Sequence, residues 1–168
     1  MSQSAALSFG FHKVTANTVL EKTLLIENFG NVDKQYTIAT SFRYASDAAN
    51  GAIKISVPNK VSVRARGKEE VKVKLTIDGR KLPAWGLNGG PLGGEGALLE
   101  GNEFDGYLTL TAGSEKLSVP WHVLPRKSAL MSVNDNAVDV GQKLKLSNAG
   151  IEVGDFDVFS LTGVSRKT

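Results

Sequence analysis

Apolar and polar positions alternate along most of this chain. In "KVSVRARG", Val61, Val63 and Ala65 fall on one side while Ser62, Arg64 and Arg66 fall on the other. In "EEVKVKLTID", Val71, Val73, Leu75 and Ile77 alternate with Lys72, Lys74 and Thr76. "FDGYLTLTAG" sets Phe104, Leu108 and Leu110 against threonines, with Gly106 marking a bulge or a close approach. "KLSVPWHVL" continues through Leu117, Val119, Trp121 and Val123, and Pro120 inside it predicts an edge or a bulge. A period of two with Asn-, Gly- and Pro-rich breaks predicts antiparallel strands that bury one face. No helix-period segment of useful length appears; the nearest candidates are turns at Tyr44–Asn50 and Leu82–Gly86. The expected fold is all-β, an antiparallel two-sheet sandwich rather than a barrel.

An internal repeat divides the chain. "LLIENFGNVDKQYTI" (24–38) and "LKLSNAGIEVGDFDV" (144–158) align without a gap. Leu24, Ile26, Asn28, Gly30, Tyr36 and Ile38 match Leu144, Leu146, Asn148, Gly150, Phe156 and Val158. The shared pattern is strand, Asn-x-Gly corner, strand, and its spacing is that of one immunoglobulin-like unit. The expectation is a complete sandwich over 1–127 and the start of a second similar β unit over 128–168. About 40 residues are too few for an independent second core, so a fragment of a longer protein is the simplest reading.

Composition narrows the chemistry. The chain has 168 residues, 41% of them apolar, a formal net charge of +3 and no cysteine. The absence of Cys excludes disulfides, thiol nucleophiles and Cys-ligated metal from this sequence. No apolar run approaches the roughly 18 residues of a membrane span, so membrane insertion is not expected. The first residues show no basic segment followed by an apolar one, hence no signal peptide within this sequence.

The glycine-rich stretch Trp85–Gly101, "WGLNGGPLGGEGALLEG", raises the question of a phosphate cradle. A Walker loop needs Lys then Ser or Thr after its last glycine, and a dinucleotide fingerprint needs a third glycine where Leu99 stands. The only charges between those limits are Glu95 and Glu100, which repel phosphate. The stretch therefore predicts an inter-strand excursion. Trp85, Leu87, Asn88, Leu98 and Leu99 are its candidate interaction residues. Trp85 either anchors the loop to the core or stacks on a sugar ring, which leaves a carbohydrate- or cell-surface-binding module as an alternative. A third option is capture of a partner strand by β-augmentation along an edge left open by the incomplete second unit.

Other constellations are thinner. The two histidines, His12 and His122, lie in no catalytic context, and His122 faces away from Trp121 and Val123 as a solvated strand residue. No catalytic residue is assigned. Asn134–Gly141 and Glu100–Gly106 offer oxygen ligands that would suit calcium, but neither matches an EF-hand loop. No cofactor is expected. A basic stripe of Lys60, Arg64, Arg66, Lys68, Lys72 and Lys74 predicts one exposed face of a hairpin that also carries Glu69 and Glu70. Without aromatic partners it does not suit nucleic acid.

A Leu-Ser-Phe-Gly strand at Leu7–Gly10 is followed by a strand closing on Asn28-x-Gly30. Further along come a strand-Pro-x-x-Val-x-Val corner at Val57–Val63, Phe-Asp-Gly-Tyr at Phe104–Tyr107, and Val-Pro-Trp at Val119–Trp121. On these features residues 4–127 resemble the fibronectin type III-like domain that follows the catalytic domain of large secreted subtilisin-like serine proteases. "ARGKEE" departs from the Ala-Gly-hydroxyl pattern frequent in the family, and Arg80–Asn102 is longer than a minimal hairpin. None of the family's protease blocks is present. The resemblance implies a non-catalytic module, extracellular or in the cell envelope. Its expected partners are the catalytic domain of its parent and, beyond that, a protein substrate or cell-surface component.

Overall fold

The computed structural model describes residues 6–85, 101–134, 141 and 143–153. Among these residues ten strands form in chain order: β1 (Leu7–Val14), β2 (Thr18–Glu27), β3 (Lys34–Phe42), β4 (Ile53–Ser56), β5 (Lys60–Val63), β6 (Lys68–Ile77), β7 (Phe104–Ala112), β8 (Glu115–Lys127), β9 (Met131–Val133) and β10 (Leu146–Asn148). A single helical turn, α1 (Ala45–Asn50), follows β3, and a 3₁₀ turn at Gly79–Lys81 follows β6.

Two sheets pack face to face. One runs β1-β8-β7-β3-β5 and the other β2-β6-β4, while β9 and β10 pair with each other. The chain is thus an immunoglobulin-like β-sandwich, as the alternation predicts. The inward positions meet as one core: Val71, Val73, Leu75 and Ile77 from β6 face Tyr36, Ile38, Leu108, Leu110, Trp121 and Val123 of the larger sheet. Each such side chain contributes about 1.5–3 kcal/mol by leaving water. Leu117 departs from the pattern; it is exposed near the tip of the β7–β8 hairpin.

Gly106 is required by a close approach. A Cβ there would collide with the Ser41 carbonyl oxygen and stand 2.9 Å from Phe42 Cα. Gly106 pairs with Phe42 on one side and Trp121 on the other. The two rings meet beside it edge to face, their centroids 5.2 Å apart.

Two features modify the antiparallel expectation. First, β1 pairs with β8 in parallel, from Leu7 opposite Trp121 to Val14 opposite Lys127. Among the described residues, the part of β8 up to Pro120 has only β7 beside it, so Pro120 occupies an edge segment although β8 becomes internal one residue later. Second, the register of β1 shifts between Ser8 and Phe11, where Gly10 takes φ +75°. Leu7 and Phe9 are buried before this bulge; after it, Phe11 is turned outward and Val14 inward. The His12 imidazole Nε2 closes the bulge on the Phe9 carbonyl at 2.7 Å.

The basic stripe is not one face. β5 pairs with β3, and β6 with β2 and β4, so Lys60 belongs to one sheet and Lys68, Lys72 and Lys74 to the other. The two runs are joined across the sandwich rather than as a hairpin, because both must bury a valine face against the opposite sheet. Arg80–Asn102 joins β6 of the smaller sheet to β7 of the larger one.

Candidate functional site

Of the five candidate loop residues, Trp85 alone lies within the described residues; Leu87, Asn88, Leu98 and Leu99 fall outside them. Trp85 is half-buried on the outer side of the β1–β8 pair. The outward Phe11 meets it edge to face at 6.0 Å, and the Arg126 guanidinium stands over its ring at 5.2 Å. The bulge at Gly10 makes this possible, because without it Phe11 would share the phase of Phe9 and point into the core. The start of the glycine-rich stretch is thereby fixed to the sandwich, with one indole face already occupied by a cation.

The outer face brings together three residues that their spacing in sequence does not connect. Ser8 on β1 and His122 on β8 lie opposite each other, and the Ser8 hydroxyl is 2.5 Å from His122 Nε2. On the other side, His122 Nδ1 is 3.4 Å from Glu103 Oε1. With a carboxylate at Nδ1 the proton belongs there, and Nε2 accepts from the serine. Hydroxyl, imidazole and carboxylate stand in the order of an acyl-transfer relay. That chemistry also needs preorganised N–H donors where the oxyanion forms. Side chains stand perpendicular to a sheet while its N–H groups lie in the sheet plane. The trio is accordingly a tie between β1, β8 and the start of β7. It was invisible in sequence because the serine and the imidazole are 114 residues apart.

The Asn-x-Gly corners are built alike. Asn28 Oδ1 accepts from Gly30 N at 3.0 Å and its Nδ2 donates to Val32 O at 2.8 Å. Asn148 Oδ1 accepts from Gly150 N at 2.8 Å and its Nδ2 donates to Glu152 O at 2.6 Å. The repeat therefore encodes a hydrogen-bonded corner, not merely a similar strand. Phe156 and Val158, its last two matches, lie outside the described residues.

An open groove of about 770 Å³ lies between the β5 and β6 ends, lined by Lys60, Arg64 and Lys68 and by Asp33, Glu69 and Glu70. Its mixed charge selects no ligand class. Of the calcium candidates, Asn134–Gly141 lies mostly outside the described residues, and in the other stretch Asp105 and Glu103 face Arg43 and His122. Among the described residues no group of three or more His, Asp or Glu side chains could hold a metal ion.

Neither a family model nor a curated protein matches the sequence. Solved structures with a similar arrangement include the CupB2 chaperone of Pseudomonas aeruginosa (11% identity, TM-score 0.44), covering 74% of this chain and 55% of that one. This chain thus spans little more than half the length of that chaperone. The PapD-like domain 7 of human CEP192 is 14% identical with a TM-score of 0.40, covering 76% and 92% of the two chains. The CsuC–CsuE chaperone–tip adhesion subunit complex of Acinetobacter baumannii is 13% identical with a TM-score of 0.43, covering 89% and 76%. The likeness is one of architecture alone.

Proposed function

We infer that this chain is a non-catalytic structural and docking module of an exported subtilisin-like serine protease, positioned after the catalytic domain and supporting it or its substrate recognition. The reading includes a module over 1–127, a following unit from 128, and an extracellular or cell-envelope location. The observation that carries it is where the family-like motifs fall. Phe-Asp-Gly-Tyr opens β7 and supplies the glycine beside which Phe42 and Trp121 meet. Val-Pro-Trp places Pro120 on the edge segment and Trp121 in the core. Pro-x-x-Val-x-Val covers the end of the crossing from β4 and the whole of β5. All three serve packing rather than chemistry. The solved neighbours are chaperone and PapD-like domains, so the protease parentage rests on these motifs.

Two measurements test this. The pure chain is expected to leave casein intact; cleavage that is blocked by a serine-directed inhibitor and abolished by Ser8→Ala would overturn the non-catalytic part. The coding sequence upstream of Ser4 is expected to encode a subtilisin-like catalytic domain, and a different neighbour there would remove the parentage.

A further inference from the structure

Asn-Gly occurs at Asn50–Gly51 and at Asn88–Gly89, and the first of these pairs lies within the described residues. It closes α1, a single turn that buries none of its side chains and so is weakly held as a helix. Both residues are exposed, and Gly51 takes the left-handed conformation at φ +66° that ends the turn. With no side chain on Gly51, nothing attached to that residue shields its backbone nitrogen.

The surroundings of the pair suit one reaction. Asn50 Oδ1 accepts from Ala52 N at 3.0 Å, a bond that spans Gly51 and turns the carboxamide back toward the intervening peptide. Ala52 is only 1% exposed and its carbonyl accepts from Asp78 N at 2.7 Å, so its own N–H is a fixed donor. Attack of the Gly51 nitrogen on Asn50 Cγ puts negative charge on Oδ1, where that donor already stands. Lys81 adds a cation on the nucleophile's side. A β-carbon built on Gly51 would lie 3.6 Å from its Nζ, and Asp78 Oδ2 holds the same ammonium at 3.7 Å. A positive charge there favours loss of the proton that the Gly51 nitrogen must give up before it attacks.

We propose that Asn50–Gly51 is a site of spontaneous deamidation assisted by the fold, which adds a negative charge beside Lys81. The Gly51 nitrogen gives its proton to water and bonds to Asn50 Cγ. The carboxamide nitrogen takes up a proton and leaves as ammonia. One water then opens the five-membered imide at either of its carbonyl carbons. Opening at one carbon restores the ordinary backbone with aspartate at 50; opening at the other leaves isoaspartate, with the backbone running through the former side chain. Water is the co-reactant in both steps. The aspartate form keeps an acceptor for Ala52 N and offers Lys81 a second carboxylate. The isoaspartate form lengthens the backbone by one carbon and disturbs the end of α1.

Ageing the purified chain in neutral buffer tests the proposal. Isoelectric focusing reads the added charge, and peptide mass spectrometry reads its position against the Asn50→Asp chain as standard. Asn50 is expected to convert to aspartate and isoaspartate while the chain stays folded. Asn28 should remain intact, because its carboxamide is held by the backbone of Gly30, Val32, Val63 and Arg64. Lys81→Gln should slow conversion at Asn50 about two- to fivefold, the effect of one charge at this range in a watery setting. The slowing should fade at high salt and disappear in urea, where Lys81 no longer stands beside Gly51. Melting temperature checks that the Lys81→Gln chain is folded. An Asn50 that stays intact in the folded chain, converts only in urea, or converts at the same rate in folded Lys81→Gln would overturn the proposal.

Discussion

Asn28 is one of two buried polar residues in the described sandwich, at 2% exposure, and its carboxamide serves four backbone groups. Besides the corner bonds to Gly30 and Val32, its Nδ2 lies 3.1 Å from Arg64 O and 3.3 Å from Val63 O, tying the β2–β3 corner to the end of β5. Replacing the amide by a carboxylate removes that donor and turns a charged acceptor toward the carbonyl oxygens of Val32, Val63 and Arg64. Asn28→Asp is therefore expected to cost about 2–4 kcal/mol near neutral pH, more than a neutral truncation at an exposed site, as urea denaturation would measure. The Lys34–Glu115 pair at the same pole works by charge on a solvated surface. Its hydrogen bond to Lys34 holds Glu115 below the ordinary carboxylate value, and the bond to Glu115 holds Lys34 above the ordinary ammonium value. A lowered acid contributes stability above its unfolded pKa and loses it as pH falls through the folded value; a raised base loses its contribution as pH rises through its own. The melting-temperature difference between the wild type and Glu115→Gln should hold through neutral pH and vanish in acid and in strong alkali. Its size will be small, because exposed pairs are screened.

At the scale of elements, the alternation of Val71 to Ile77 made the central strand of the smaller sheet legible, and Gly106 announced the close approach it provides. Edges and partners were not legible, because strand pairing depends on what lies across the sandwich. The lysines of β5 and β6 look continuous in sequence yet belong to different sheets, and the Ser8–His122 contact follows from a parallel pairing that no local pattern encodes. Lys22 shows how an edge is managed. It lies opposite Val73, on the inward phase of β2, a ten-residue strand that pairs only with β6 among the described residues. An inward charge makes a second strand costly to add, since the lysine would have to be covered. The bulge guards β1, and the other two edges, β4 and β5, have four residues each. Lys22→Val is expected to leave the fold intact and to promote self-association. Light scattering at rising concentration would detect it, and a strictly monomeric variant would contradict it. The same lysine argues against β-augmentation along β2.

For the whole molecule, the second Asn-x-Gly corner is seated on the sandwich. Ser128 N donates to Val14 O at 3.0 Å and Ile151 N to Ser128 O at 3.2 Å. Ile151 packs against the main core where Gly79 leaves room; a Cβ there would collide with both Ile151 and Val14. The joint is thus a continuation of packing rather than a free linker. Ile151→Asp should expose the β9–β10 pair to proteases and destabilise the chain by about 1–3 kcal/mol, through a charge set against apolar neighbours. Unchanged proteolysis would mean that the β9–β10 pair is hinged on the sandwich. The repeat made a second corner predictable, but not its seat, since the socket is assembled from Val14, Ala16 and Gly79, far away in sequence.

The parallel pairing of β1 with β8 has a mechanical consequence. Force applied between the start of β1 and the end of β8 pulls these neighbours in opposite directions along their length, so the bonds from Leu7–Trp121 to Val14–Lys127 are loaded together. The antiparallel β7–β8 hairpin, pulled at its open end, would instead release its bonds one at a time. In single-molecule force spectroscopy the chain should rupture at much higher force when held at residues 6 and 128 than when held at 104 and 123. A module in series with a heavier domain would then transmit tension between its ends before it yielded.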